Sequence, residues 1–339
     1  MKKKWLVGWM GAAKIRFEGG CMVNILSSVK LKDRHQNRLR ETFPHYQFTF
    51  LESIEQATTR EMEETEVLIT YGRELTPALL DQFPRLKWIQ VLTAGLDRLP
   101  IQALEERGIL LTNVRGLHGI QMAEYTMAMI LNLVRRTYQF YDLQKEKRWD
   151  NTVRIDEAYG KTLGILGLGA IGEAIAQRAK AFGLRVIGLR KTPGPCPPCV
   201  DQLLTSGQEK ELYAQSDFLV VLLPLTEETR HFINGEAFNQ MKEGAFLINI
   251  ARGPIVDEQA LLEAVRQGKI AGAVLDVFDE EPLPPDHPFW TEKNIIITPH
   301  IAGRSPRYME RAMDIFVENL KAYPDLSRMK NVIDYKRGY

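Results

Sequence analysis

Short apolar runs and segments of helical period alternate through the first hundred residues. They predict strands at 46–51, 67–70 and 86–92, and helices at 74–82 and 99–106. The opening run, MKKKWLVGWM, also has an apolar stretch. That stretch is only about nine residues long and runs straight into Lys14 and Arg16, so it predicts a first strand and not a signal peptide. From His118 to Arg136 the chain reads HGIQMAEYTMAMILNLVRR. This predicts a long helix, apolar nearly all round and therefore buried on most sides, with Met122, Met127 and Met129 as packing residues. From Gly160 onward strands and helices alternate strictly, with strands expected at 163–166, 185–189, 218–223, 245–250, 272–277 and 294–298. That rhythm implies parallel strands joined by crossover helices, an α/β fold. No run approaches the ~18 apolar residues of a membrane span.

Composition narrows the class. A chain of 339 residues suffices for two domains, and 45% hydrophobic with 26% charged residues is ordinary for a globular protein. A formal charge of +1 gives no electrostatic case for nucleic acid or an anionic membrane. The three cysteines, Cys21, Cys196 and Cys199, are too few for a disulfide framework and fit a reducing cytoplasm. The Cys196-Pro-Pro-Cys199 stretch reads as a stiff loop carrying two incidental thiols. No residue set calls for a metal.

The most specific local signal is KTLGILGLGAIGEAIAQRAKAFGLRVIGLRKT, residues 161–192. A strand, a Gly-x-Gly-x-x-Gly turn, a helix and a second strand in this order form a dinucleotide-binding unit. Gly167 permits the tight turn, Gly169 the approach of backbone to a pyrophosphate, and Gly172 close helix–strand packing. The helix end that follows offers N–H groups and a positive dipole end to phosphates. The second strand would ordinarily end in an acid for the ribose 2′-hydroxyl. Here Arg190, Lys191 and Thr192 stand in its place, which suits a 2′-phosphate and points to NADP(H) over NAD(H).

Three further segments lie at carboxyl ends of expected strands, the edge where open α/β sheets bind ligands. LINIARGPIV carries Arg252, VLDVFDEEP carries Asp276 and Glu281, and IIITPHIAG carries His300. An arginine, a carboxylate and a histidine beside a nicotinamide suit one reaction, reduction of a 2-oxo acid. A guanidinium grips the carboxylate and carbonyl oxygen in two-pronged fashion. A histidine protonates the developing alkoxide, and a neighbouring carboxylate holds its ring and favours the charged form. The remaining histidines, His35, His45, His118, His231 and His287, are read as structural.

With these motifs in view the chain resembles the D-isomer-specific 2-hydroxyacid dehydrogenase family. LGLGAIG, LLPLTEETRHFIN, NIARGPIVDEQAL, LDVFDEEPLPPDHPFW and TPHIAG carry the resemblance in order. It implies that Arg252, Glu281 and His300 are catalytic. Arg252 polarises the substrate, His300 donates the proton and Glu281 pairs with His300. It further implies that Asp276 holds the nicotinamide carboxamide, that Ala170 and Ile171 contact the pyrophosphate, and that Pro224 and Thr229 line the adenine and ribose. Ile250 and Ala251 would lie along the nicotinamide, with Arg252 and His300 also in reach of it. Ala94 and Gly95 would grip the substrate carboxylate through backbone N–H groups.

The resemblance implies a Rossmann-type doubly wound domain, 103–303, inserted into a smaller flavodoxin-like substrate domain built from 1–102 and 304–339, with closure by hinging. It implies a homodimer through the cofactor domain and its long helix. The expected activity is NADPH-dependent reduction of glyoxylate or hydroxypyruvate to the D-2-hydroxy acid. A 3-phosphoglycerate dehydrogenase is the rival within the class and would use Arg73 and Arg98 for the extra phosphate. The stretch after His300 is too short for the regulatory domain of its longer members. A nucleotide-sensing corepressor is the rival outside enzymes, though the complete catalytic set argues against it.

Overall fold

A computed structural model describes residues 23–96 and 99–335. The strand expected in the opening run, and Asp97 and Arg98 of the first-domain loop, lie outside the described residues. Two compact units emerge: 1–115 with 307–339, and 116–306.

The first unit holds a parallel sheet of β1 (Asn24–Ser27), β2 (Gln47–Phe50), β3 (Val67–Thr70), β4 (Trp88–Val91) and β5 (Leu110–Thr112), ordered β2-β1-β3-β4-β5. That order is the flavodoxin-like one. β3 and β4 are buried at every position, as expected of central strands covered on both faces. The helix expected at 74–82 is shorter, Pro77–Leu80, because Thr76 caps it through Leu79 N and Pro77 takes its first turn. Glu74 is thereby freed to accept from Ser28 Oγ at 2.8 Å.

The C-terminal helix Tyr308–Ala322 joins this unit through a buried polar network. Asn319, fully buried, donates to Gln90 Oε1 at 3.2 Å, and Gln90 accepts from Thr112 Oγ1 at 2.9 Å. Trp88 donates to Thr112 and stacks between Phe316 and Tyr323, with ring centroids 5.4 and 5.2 Å away.

The second unit carries β6 (Thr162–Leu166), β7 (Arg185–Arg190), β8 (Gln202–Thr205), β9 (Phe218–Val221), β10 (Ala245–Asn249), β11 (Ile270–Leu275) and β12 (Ile295–Ile297). All are parallel, in the order β12-β11-β10-β9-β6-β7-β8. Renumbered from β6, the first six strands follow the doubly wound 3-2-1-4-5-6 order, with the switch point between β6 and β9. The long helix runs Gly119–Arg135 and stops where Arg136 turns left-handed at φ 55°. Met122, Met127 and Met129 pack with Ile165, Ile175 and Ala176, in accord with the core reading. Gly119 lets this helix approach the helix Ala170–Ala181, since a Cβ there would lie 3.1 Å from Ala174 Cβ.

The boundaries differ from those expected at 102/103 and 303/304. Residues 103–115 stay in the first unit because β5 hydrogen-bonds to β4 and seals that sheet's core. Residues 304–306 stay in the second.

Candidate active site

The glycine turn is built as its sequence demands. Gly167 sits at φ 103°, and a Cβ there would strike the Leu222 carbonyl at under 3 Å. Its N–H and that of Leu168 both donate to Leu189 O, closing β6 onto β7. Gly172 lies 3.1 Å, at its would-be Cβ, from Ile165 Cγ2, so helix and strand touch. Gly169, the N-cap, has open space beside it and no side chain to cap Ala170 and Ile171. An open, uncapped N-terminus at the switch point fits a pyrophosphate.

Arg190 ends β7 half-buried. Its Nη2 donates to Pro195 O at 3.0 Å, while its Nε is buried with no hydrogen-bond partner. An unsatisfied buried donor of this kind costs about 1–3 kcal/mol. Lys191 reaches across to Glu228 at 3.1 Å. Both ends of that pair are more than three-quarters exposed, so it places the loop but stabilises it little. Glu228 belongs to the loop in which Thr229 Oγ1 donates to Pro224 O at 2.6 Å. The structure therefore gathers Arg190, Lys191, Pro224 and Thr229 on one rim, with Thr192 exposed beside them. Cys196 and Cys199 are free thiols.

The other strand ends carry the chemistry. Ile250 and Ala251 are buried after β10. Buried Asn249 shapes the next turn, accepting from Ala251 N and donating to Arg252 O, so that Arg252 emerges exposed. His300 adopts φ 52° and its Nδ1 lies 2.7 Å from Glu281 Oε2. Glu281 Oε1 accepts from Phe278 N at 3.1 Å, which fixes the carboxylate. His300 is half-exposed and Glu281 about one-third exposed, so both are open to a ligand.

Asp276 has a different setting from the one its motif suggests. It is 1% exposed. Its Oδ1 accepts from Thr298 Oγ1 at 2.5 Å and Ile301 N at 2.9 Å, and its Oδ2 from Ala302 N at 2.8 Å. Its own carbonyl accepts from His300 N at 2.8 Å. Asp276 thus ties both sides of the His300 turn to β11. Tyr125, on the long helix, hydrogen-bonds to Thr298 at 2.6 Å and completes the chain. Thr298 opens the TPHIAG motif and Tyr125 lies on the long helix, but neither had a role legible in the sequence.

His118 was also passed over. A Cβ on Gly303 would lie 3.1 Å from its ring, and Arg252 is its cationic neighbour. Burial first, and that cation second, hold its pKa below the ordinary imidazole value. In the first unit, the loop after β4 is set by three bonds to its carbonyls. Tyr308 donates to Leu92 O, Asn113 to Ala94 O and Thr93 Oγ1 to Gly95 O.

Among the described residues no group of three or more His, Cys, Asp or Glu could hold a metal ion, and no helix is long and apolar enough to cross a membrane.

The family model for the D-isomer specific 2-hydroxyacid dehydrogenase NAD binding domain matches residues 127–302, just over half of the chain. The chain belongs to the D-isomer-specific 2-hydroxyacid dehydrogenase family. It is an oxidoreductase of the D-2-hydroxyacid dehydrogenase class with a nicotinamide-dinucleotide Rossmann domain. A glyoxylate/hydroxypyruvate reductase B of Enterobacter sp. is 33% identical over 299 residues, 86% of this chain and 91% of that protein. A D-3-phosphoglycerate dehydrogenase of Methanocaldococcus jannaschii is 36% identical over 80% of this chain, but the match spans only 52% of that protein. A family member from Xanthobacter autotrophicus Py2, solved with NADPH and MES, superposes with TM-score 0.78 at 29% identity, covering 94% of this chain and 99% of that one.

Proposed function

We propose that this dehydrogenase reduces glyoxylate or hydroxypyruvate to the D-2-hydroxy acid, with NADPH preferred over NADH. The observation that carries the reading is the 2.7 Å Glu281–His300 pair at the carboxyl edge of the dinucleotide sheet. Because Glu281 engages Nδ1, the Nε2 of His300 is the nitrogen left to hand a proton to the substrate's carbonyl oxygen. Arg252 neutralises the carboxylate and polarises the carbonyl. Backbone N–H groups of Ala94 and Gly95 are assigned to the carboxylate as well. Gly167, Gly169, Ala170, Ile171 and Gly172 would hold the pyrophosphate, Pro224 and Thr229 the adenosine, and Ile250 and Ala251 the nicotinamide. When bound, the reduced nicotinamide supplies the hydride for the keto carbon. Asp276, with both oxygens bonded to the segment after β12 that carries His300, serves the site by holding the His300 turn.

The cations Arg190 and Lys191 at the end of β7 support NADPH. Exposed Tyr138, Tyr141, Trp149, Ile155 and Tyr159 follow the long helix in one stretch, and support a homodimer through this unit. A cytoplasmic location agrees with the free thiols Cys196 and Cys199. Phosphoglycerate as substrate is the second reading, favoured by the Methanocaldococcus relative and by Arg73 just past β3.

The test is nicotinamide absorbance on mixing purified protein with NADPH or NADH and a panel of glyoxylate, hydroxypyruvate, pyruvate and 3-phosphohydroxypyruvate. Fastest turnover with glyoxylate or hydroxypyruvate and NADPH is expected. A preference for the phosphorylated acid moves the assignment to the second reading, and no turnover with any of them sinks the substrate class.

A further inference from the structure

A second glutamate–histidine pair grips the loop that carries Glu281. Two consecutive amides of that loop donate to two different glutamates. Phe278 N donates to Glu281 Oε1, and Asp279 N donates to Glu258 Oε1, each at 3.1 Å. Each glutamate spends its other oxygen on a histidine: Glu281 on His300 at 2.7 Å and Glu258 on His287 at 3.3 Å. The two pairs differ in setting. Side chains of the second are only 20% exposed, while those of the first are 51% and 36% exposed.

The second pair is anchored on its far side. His287 Nδ1 accepts from Phe289 N, and the ring packs edge-on against Phe289, which is 1% exposed. With Nδ1 accepting, Nε2 carries the proton toward Glu258, so the bond forms with a neutral ring. Glu258 sits in the first turn of the helix Glu258–Arg266, whose N-cap Asp257 is itself bonded to Ala260 N. Gly253 also packs against the loop, since a Cβ there would lie 1.9 Å from the Phe278 carbonyl carbon. The loop thus has a close backbone neighbour in Gly253 and a hydrogen-bond acceptor in Glu258.

We infer that Glu258 and His287 form a positioning pair that sets the Phe278–Asp279 backbone and, through it, the Glu281 carboxylate against His300. This rests on the catalytic assignment of Glu281 and His300 proposed above. A positioning role acts through Glu281, so its effect should vanish once Glu281 is disabled.

The experiment is a double-mutant cycle on the whole chain, using NADPH and the fastest of the 2-oxo acids in the panel. Glu258→Ala and His287→Leu should each lower kcat by roughly 10- to 100-fold, the scale of a small misplacement of a reacting group. NADPH Kd should stay within about twofold, since the loop is remote from the glycine turn. His287→Gln, which restores an N–H donor toward Glu258, should recover most of kcat. In a Glu281→Gln background Glu258→Ala should cost almost nothing more. Equal losses in both backgrounds, or no rescue by glutamine, overturn the inference alone. A Glu281→Gln enzyme at wild-type rate overturns the catalytic assignment and the inference together. If Glu258→Ala does not fold, the His287→Leu and His287→Gln pair in the two backgrounds decides the same question.

Discussion

Replacing Asp276 by Asn tests whether a buried carboxylate holds the His300 turn. Asp276 is 1% exposed and accepts three hydrogen bonds, from Thr298 Oγ1, Ile301 N and Ala302 N. Asparagine keeps one oxygen for Thr298 and Ile301, but presents an amide N–H₂ to the N–H of Ala302, which is 3% exposed. Orphaning that donor costs about 1–3 kcal/mol, and turning two charge-assisted bonds into neutral ones costs roughly 1 kcal/mol each. Removing a desolvated charge returns part of this, leaving a net loss of about 3 kcal/mol. For a unit of this size that is a drop of about 6–12 °C in the Tm of its unfolding, read by calorimetry. The turn carries His300 through its N–H to Asp276 O, so a shift of about 1 Å there should lower kcat about 100-fold. A variant within about 2 °C of wild type, reducing glyoxylate within about threefold of its rate, would refute the reasoning. It would show that Thr298 and Tyr125 hold the turn without the carboxylate.

His300→Ala should abolish most reduction in the nicotinamide assay while NADPH Kd, by fluorescence titration, barely moves; near-normal turnover would remove His300 from its role. Arg190→Asp should weaken NADPH binding relative to NADH by about 1–3 kcal/mol, the loss of a charge-assisted bond, and an unchanged ratio of the two Kd values would count against the 2′-phosphate reading. His118 is held neutral by burial and by Arg252, so its folded pKa lies below its unfolded one. The unfolded chain then binds the proton first as pH falls below about 6.5, and the stability that depends on a neutral His118 is lost in that range. Thermal melts should show wild type losing more stability than His118→Gln between about pH 7 and 5; parallel curves would contradict this.

Where a feature depends on neighbours in sequence, it was legible. The Gly167–Gly172 turn is local, because one strand, one turn and one helix dictate it. The cations after β7 were legible for the same reason. So was the placing of Arg252, Glu281 and His300 at strand ends, since strand alternation and breaker residues mark each end. Short strands were harder. β1, β5 and β8 were missed although other strands as short were not, and pairing with β3, β4 and β7 makes them strands.

The chain by itself determined the family, the dinucleotide turn and which three side chains stand where chemistry is expected. Tertiary structure decided what holds them. Asp276 reads as a ligand contact in its motif, yet its oxygens go to Thr298, Ile301 and Ala302, more than twenty residues away. Glu258 and His287 are unremarkable in one dimension, and become a pair only when the helix after β10 and the segment before β12 flank the same loop. Burial is the physical reason. A buried carboxylate or amide must find its partner wherever the fold brings one, and nothing in local spacing records that partner.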